Sequence, residues 1–141
     1  EVAGVNTRQQ LAELELHFQQ LQANKVMAAG VTLADPSRLD IRGDVTIGQD
    51  VSIDVNVILE GTVNIADNVV IGANCIIKDS SIAVGTEILA NSMLDNAIVG
   101  ANATIGPFAR LRPGTALADN AKIGNFVETK NATLRLPCNC F

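Results

Sequence analysis

Between Ile41 and Ile123 large aliphatic residues return at a fixed interval and polar residues fill the space between them. Ile41, Ile47, Ile53, Leu59, Ile65, Ile71 and Ile77 stand six apart, and a second small or branched apolar residue precedes each later member by two: Val45, Val51, Val57, Val63, Val69 and Cys75. On an α-helix a step of six turns the chain by about 600°, which scatters these side chains over several faces. On a strand, residues i and i+2 face the same way. The pattern therefore predicts three-residue strands such as Val45-Thr46-Ile47 with both ends turned inward, separated by tight corners. The intervening triplets, among them Gly48-Gln49-Asp50, Ala66-Asp67-Asn68 and Gly72-Ala73-Asn74, are rich in residues that tolerate left-handed backbone.

One strand and one corner per six residues cannot bury anything alone, so successive coils must stack into a parallel β-helix. The period continues through Ile82, Ile88 and Leu94 after one five-residue step, then through Val99, Ile105, Leu111, Leu117 and Ile123 after another. Gly100, Gly106, Ala118 and Gly124 hold the small position after the aliphatic. With three strands per coil, residues 41–128 make about five coils, stacked to roughly 24 Å at the spacing of neighbouring strands.

The first thirty residues follow a different period. Leu11, Leu14, Phe18 and Leu21 are spaced by three and four, which predicts one amphipathic helix of about twenty residues. Asn6 and Gln9 fit a capping box and Gly30 a helix stop. His17, the one histidine, lies beside the apolar face and reads as a partly covered helix residue.

Composition changes this picture little. Hydrophobic residues are 48% and aromatics 3%, with no Trp or Tyr, so the core is thin repeated layers of Ile, Val, Leu and Ala. A net charge of -5 disfavours nucleic acid and anionic membranes, which need clustered cations. No stretch has the ~20 apolar residues of a membrane span, and the expected location is cytoplasmic. Three cysteines, Cys75 in the repeat and Cys138 and Cys140 near the end, do not make a disulfide framework.

The [Leu/Ile/Val]-Gly-x-x-x-x repeat resembles the hexapeptide-repeat proteins. That resemblance implies a mainly β fold, a left-handed parallel β-helix, here preceded by one long α-helix, and a homotrimer with sites between neighbouring prisms. Two longer stretches, "EVAGVNTRQQLAELE" at residues 1–15 and "IGPFARLRPGTALADNAKIGNFVETK" at 105–130, resemble the bifunctional N-acetylglucosamine-1-phosphate uridylyltransferases/glucosamine-1-phosphate N-acetyltransferases. The family transfers acetyl from acetyl-CoA to glucosamine 1-phosphate and then uridylyl from UTP, with Mg²⁺, in making UDP-N-acetylglucosamine for cell-envelope precursors. The implied division is the end of a uridylyltransferase domain at 1–8, a linker helix at 9–29, part of the acetyltransferase β-helix at 30–134 and a divergent tail at 135–141.

From spacing alone Arg112, next to the inward Leu111, is an outward, solvated cation, and Lys130 is a surface lysine. The resemblance places both in the sugar-phosphate site of the acetyltransferase, where a guanidinium suits phosphate oxygens. They stand 18 apart, one full coil, so they should meet on adjacent rungs at one corner. Glu128 is positioned to meet a sugar hydroxyl or amine, or to pair with a cation. Asn6 matches the family's asparagine for Mg²⁺ and the nucleotide sugar; its own sequence context favours a helix cap, and a single amide oxygen cannot hold magnesium.

Acetyl transfer to an amine needs a proton acceptor. The family's histidine for that role lies beyond the segment matched here, and no histidine follows His17. The expectation is a chain without either activity, which departs from the family at Arg135 through truncation or a shifted reading frame and leaves the last coil uncapped. The alternative is a non-catalytic β-helix that serves as a trimerisation or interaction module. A zinc-dependent β-helical enzyme is excluded by the single histidine, and Cys138-Asn139-Cys140 reads as part of the tail rather than a metal pair.

Overall fold

The computed structural model describes residues 7–130, 133–134 and 139–140. Among the described residues one α-helix, Arg8–Ala28, leads into nineteen short strands, with a single 3-10 turn at Pro36–Arg38. Each strand pairs in parallel with the strand one coil away, giving three sheets of seven, six and six strands that form the three faces of a β-helix. The hexad columns point inward as the period requires. Ile41, Leu59, Ile77, Leu94 and Leu111 line one wall in register, and each is 4% exposed or less.

The corners explain the polar triplets. Asp50, Asn56, Asn68, Asn74, Asn91, Asn102 and Asn120 all have φ between 54° and 64°. Asn and Asp tolerate this left-handed region because their short polar side chains bond the local backbone. Corner side chains also tie coils together. The Asp67 carboxylate accepts the Gln49 N–H at 2.8 Å, Asp79 accepts that of Thr62 at 2.9 Å, and Asp119 accepts that of Ala101 at 2.8 Å. A Cβ on Gly100 would sit 2.6 Å from the Ala118 carbonyl carbon, which is why the residue after Val99 is a glycine.

Both five-residue steps fall at one corner, between the face holding Leu94 and the face holding Val99, where Asp79 and Asn96 turn the chain with φ of 47°. A third step of five, Thr129 to Leu134, falls at the same corner, because Thr129 pairs with Leu111 and Leu134 with Leu117. Thr129 is not an aliphatic, so the period alone does not reveal it.

The helix differs from its expected form. Thr7 is its N-cap, accepting the Gln10 N–H at 3.1 Å; Asn6 lies outside the described residues. Leu11, Leu14, Phe18 and Leu21 do share a face, but that face is exposed, with between 46% and 57% of each residue accessible. The buried side carries Gln19 and Ala23. The reason is polar: the Gln19 amide accepts the Ile41 N–H and donates to the Ile41 carbonyl, both at 2.9 Å, so it imitates a neighbouring strand along the first coil's open edge. Unpaired backbone at a strand edge must find such partners when buried. The helix stops as expected, with Gly30 at φ 105° and the Gly30 and Val31 N–H groups bonded back to Met27 and Val26.

The ladder does not stop at Leu134. Asn139–Cys140 pairs in parallel with Lys122–Ile123, placing Cys140 opposite Ile123. Cys140 stands six after Leu134, so the hexad interval survives into the tail even though a large aliphatic does not. Cys138 lies outside the described residues. Cys75 is buried in the core, and burial pushes its thiol pKa up.

Candidate functional site

One outward column on the face formed by Leu39–Arg42, Val57–Glu60, Ile76–Lys78, Met93–Asp95, Arg110–Leu111 and Glu128–Thr129 carries charge at every rung. Arg42 is opposite Glu60, Glu60 opposite Lys78, and Lys78 opposite Asp95. Continuing the register of Leu94 with Leu111 and of Leu111 with Thr129 by one residue puts Arg112 next to Asp95 and Lys130 next to Arg112. The sign alternates along this column until its last step, where two cations stand one rung apart.

Neighbouring rungs are about 4.8 Å apart, so both side chains leave the backbone close enough together to reach one anion. Among the described residues the ion pairs are Arg42–Asp40 at 2.9 Å and Arg110–Glu128 at 3.4 Å, and neither Arg112 nor Lys130 belongs to one. Arg112 is half-buried at the corner and Lys130 is exposed. Their fork and point charge are therefore open to solvent on the same edge of the prism.

Glu128 pairs with Arg110, the second of its two expected roles. Its outward neighbours along the face are Met93 and, further down, Ile76, which border a cleft of about 210 Å³ with Glu60, Lys78, Asp95 and Arg110. A larger cleft of about 350 Å³ lies between the helix and the first coil, at the far end from Arg112, lined by Val26, Ala29, Ile41, Val45 and Ile47. Its polar lining holds one cation, Lys25, beside Asp44, so it is less suited to a phosphate.

The backbone around Arg112 is pinned. Its N–H donates to the Thr129 carbonyl at 2.8 Å, and its carbonyl accepts from the Thr115 N–H at 3.3 Å and hydroxyl at 2.8 Å. His17 is exposed on the helix, which packs on the first coil. Four rungs separate Ile41 from Leu111, roughly 19 Å, so this histidine does not serve the corner. Among the described residues no three His, Cys, Asp or Glu side chains converge on a metal position. Asn6 lies outside them, and the described residues do not fit magnesium.

Sequence reasoning missed one feature near this site. Phe108 and Phe126 occupy successive corners at φ 56° and 57°, where lower coils carry Asn56, Asn74 and Asn91, and their rings stack at 5.3 Å. They are 50% and 79% exposed. Bulky residues in left-handed backbone cost about 1–2 kcal/mol each. The signal available in the sequence was the change from Asn to Phe at a fixed hexad position.

The sequence profile of the GMPPB C-terminal domain matches residues 41–139. Curated proteins called bifunctional protein GlmU are similar over nearly the whole chain. That of Marinobacter nauticus is 62% identical over 134 residues, that of Pseudoalteromonas atlantica 60% over 134, and that of an Acinetobacter baumannii strain 58% over 136. Those matches cover 95%, 95% and 96% of this chain but 30% of each relative, so the chain spans less than a third of the length of the proteins it resembles. A solved structure, the acetyltransferase domain of PglB from Neisseria gonorrhoeae in complex with acetyl coenzyme A, superposes with a TM-score of 0.63 at 14% identity over 84% of this chain and 62% of that one. At that identity the likeness concerns the fold alone.

Proposed function

The chain belongs to the GMPPB C-terminal domain family, and from that premise we propose that it is the sugar-phosphate-holding part of a bifunctional enzyme that makes UDP-N-acetylglucosamine. In that reading the whole protein acetylates glucosamine 1-phosphate from acetyl-CoA and transfers uridylyl from UTP for cell-envelope precursors, in the cytoplasm and as a homotrimer. Arg112 and Lys130 receive the phosphate of glucosamine 1-phosphate. Arg110 holds Glu128 beside them, where its carboxylate faces the amino or hydroxyl groups of the sugar. The observation that carries the reading is the unpaired two-cation step at the end of an alternating column.

Acetyl-CoA, when bound, would supply the activated acyl group. What these residues contribute is anchorage and orientation, which supplies part of a barrier reduction by fixing the amine in place. Removal of the ammonium proton needs a base, and His17 is too distant. The division proposed above, with 1–8 from the uridylyltransferase domain, 9–29 as linker and 30–134 as the acetyltransferase β-helix, leaves the proton acceptor and the magnesium site to other parts of the protein. The isolated chain is accordingly proposed to bind sugar phosphate without turning it over.

A second reading, a β-helix used for trimerisation or interaction, draws on the exposed Phe108–Phe126 stack, a surface that suits a partner more than water. The two are separated by calorimetric titration of the chain with glucosamine 1-phosphate and with glucosamine. Saturable binding of the phosphate ester at millimolar concentration or below, with none of glucosamine, is expected. Equal or absent responses to both would sink the anion site and leave the interaction module.

A further inference from the structure

Thr129 interrupts the inward aliphatic column. Ile41, Leu59, Ile77, Leu94 and Leu111 precede it in register, and on the rung that leads into Lys130 the series changes to a hydroxyl. Thr129 is half-buried, and withdrawing a hydroxyl from water where an aliphatic fits costs stability unless the group is bonded. Thr129 Oγ1 lies 2.9 Å from Thr115 Oγ1, and Thr115, 1% exposed, donates its one hydroxyl proton to the Arg112 carbonyl at 2.8 Å. A hydroxyl has a single proton to give. Thr129 is therefore the donor to Thr115, and the chain runs Thr129 O–H to Thr115 O–H to the Arg112 carbonyl.

The Arg112 N–H closes the circuit by bonding the Thr129 carbonyl at 2.8 Å. Both peptide groups flanking Arg112 are thus tied to the residue immediately before Lys130. Other buried hydroxyls are arranged differently. Ser80 and Thr86 each donate to a carbonyl and accept a backbone N–H of the next coil, from Ala97 and Ala103. Only at Thr115, among the described residues, does the acceptor side take a second side chain.

We infer that the Thr115–Thr129 hydroxyl pair is a positioning device that sets the spacing and orientation of Arg112 relative to Lys130 for a phosphate monoester. The inference rests on the anion reading given above. Fixed donors bind better than mobile ones because their ordering entropy is spent before the ligand arrives.

The test is titration of the chain with glucosamine 1-phosphate for wild type, Thr129→Val, Thr129→Ser and Thr86→Val, each with its melting temperature. Thr129→Val keeps the shape and removes the proton. It should weaken binding by about two- to tenfold, the equivalent of one hydrogen bond, while Thr129→Ser restores affinity. Thr86→Val, which removes a buried hydroxyl on another face, should lower the melting temperature and leave affinity alone. Wild-type affinity in Thr129→Val, or an affinity loss that Thr129→Ser does not restore, overturns the positioning role while leaving the anion site intact. A wild-type chain that binds no sugar phosphate overturns the anion reading and this inference with it.

Discussion

Leu94→Ala should destabilise the chain by about 2–5 kcal/mol, whereas Met93→Ala, one residue earlier, should cost less than about 1 kcal/mol. Leu94 is 1% exposed and sits between Ile77 and Leu111 in the inward column, while Met93 points out and is 43% exposed. Truncation of Leu94 leaves a cavity bounded by residues on adjacent coils, whose backbones are held by ladder hydrogen bonds on both sides and cannot collapse inward. The lost contacts therefore add to the lost transfer energy. Urea denaturation of both variants checks this. Similar costs for the two would mean that the inward and outward assignment of the hexad is wrong.

Charge removal at the corner should have the opposite signature. Arg112→Ala is expected to weaken glucosamine 1-phosphate binding by roughly ten- to a hundredfold, the value of charge-assisted hydrogen bonds at 1.5–3 kcal/mol. Lys130→Ala should lose less, since its exposed ammonium acts as a screened point charge. Neither variant should lower the unfolding free energy. Neither side chain belongs to an ion pair among the described residues, so stability should stay level to within about 0.5 kcal/mol, as for other surface substitutions. Binding should also fall with ionic strength, and more so in wild type than in either variant. Joint loss of affinity and stability in Arg112→Ala would assign that residue to the scaffold instead.

Much of the architecture was legible because a β-helix repeats one physical problem. Each aliphatic must face inward and each corner must reverse direction, so Ile, Val and Leu return every six residues with Asn, Asp or Gly between them. The corner shared by Asp79 and Asn96 was legible as a five-residue step. Its third occurrence, after Thr129, was hidden because the residue marking it is polar. The strand at Asn139–Cys140 was hidden in the same way, by a cysteine at an aliphatic position.

The helix shows where periodicity misleads. Leu11, Leu14, Phe18 and Leu21 form the apolar stripe, yet backbone hydrogen bonding chose the other side. Ile41 offers a free donor and acceptor at the end of the sheet, and Gln19 satisfies both, with its remaining amide proton on Glu15. A glutamine amide is indistinguishable in the sequence from any solvated helix position, so nothing in the spacing marks it.

At the candidate site the sequence placed Arg112 and Lys130 one coil apart, and the register puts them on adjacent rungs. What spacing could not show was the alternation from Arg42 to Asp95 that makes the final pair of cations anomalous, because opposition across coils depends on register to the residue. The pairing of Glu128 with Arg110 and the hydroxyl chain beneath Arg112 likewise depend on which side chains face each other, which is a property of the folded coil.

The proposed anion site of Arg112 and Lys130 at a corner of the β-helix is open to one decisive measurement. Backbone amide chemical shifts of the chain, followed during titration with glucosamine 1-phosphate, address it directly. Saturable shifts confined to residues 110–115 and 128–130, following a single dissociation constant, are expected. Shifts centred on the helix and first coil around Lys25, or no saturable shifts at the Arg112 corner, would contradict it.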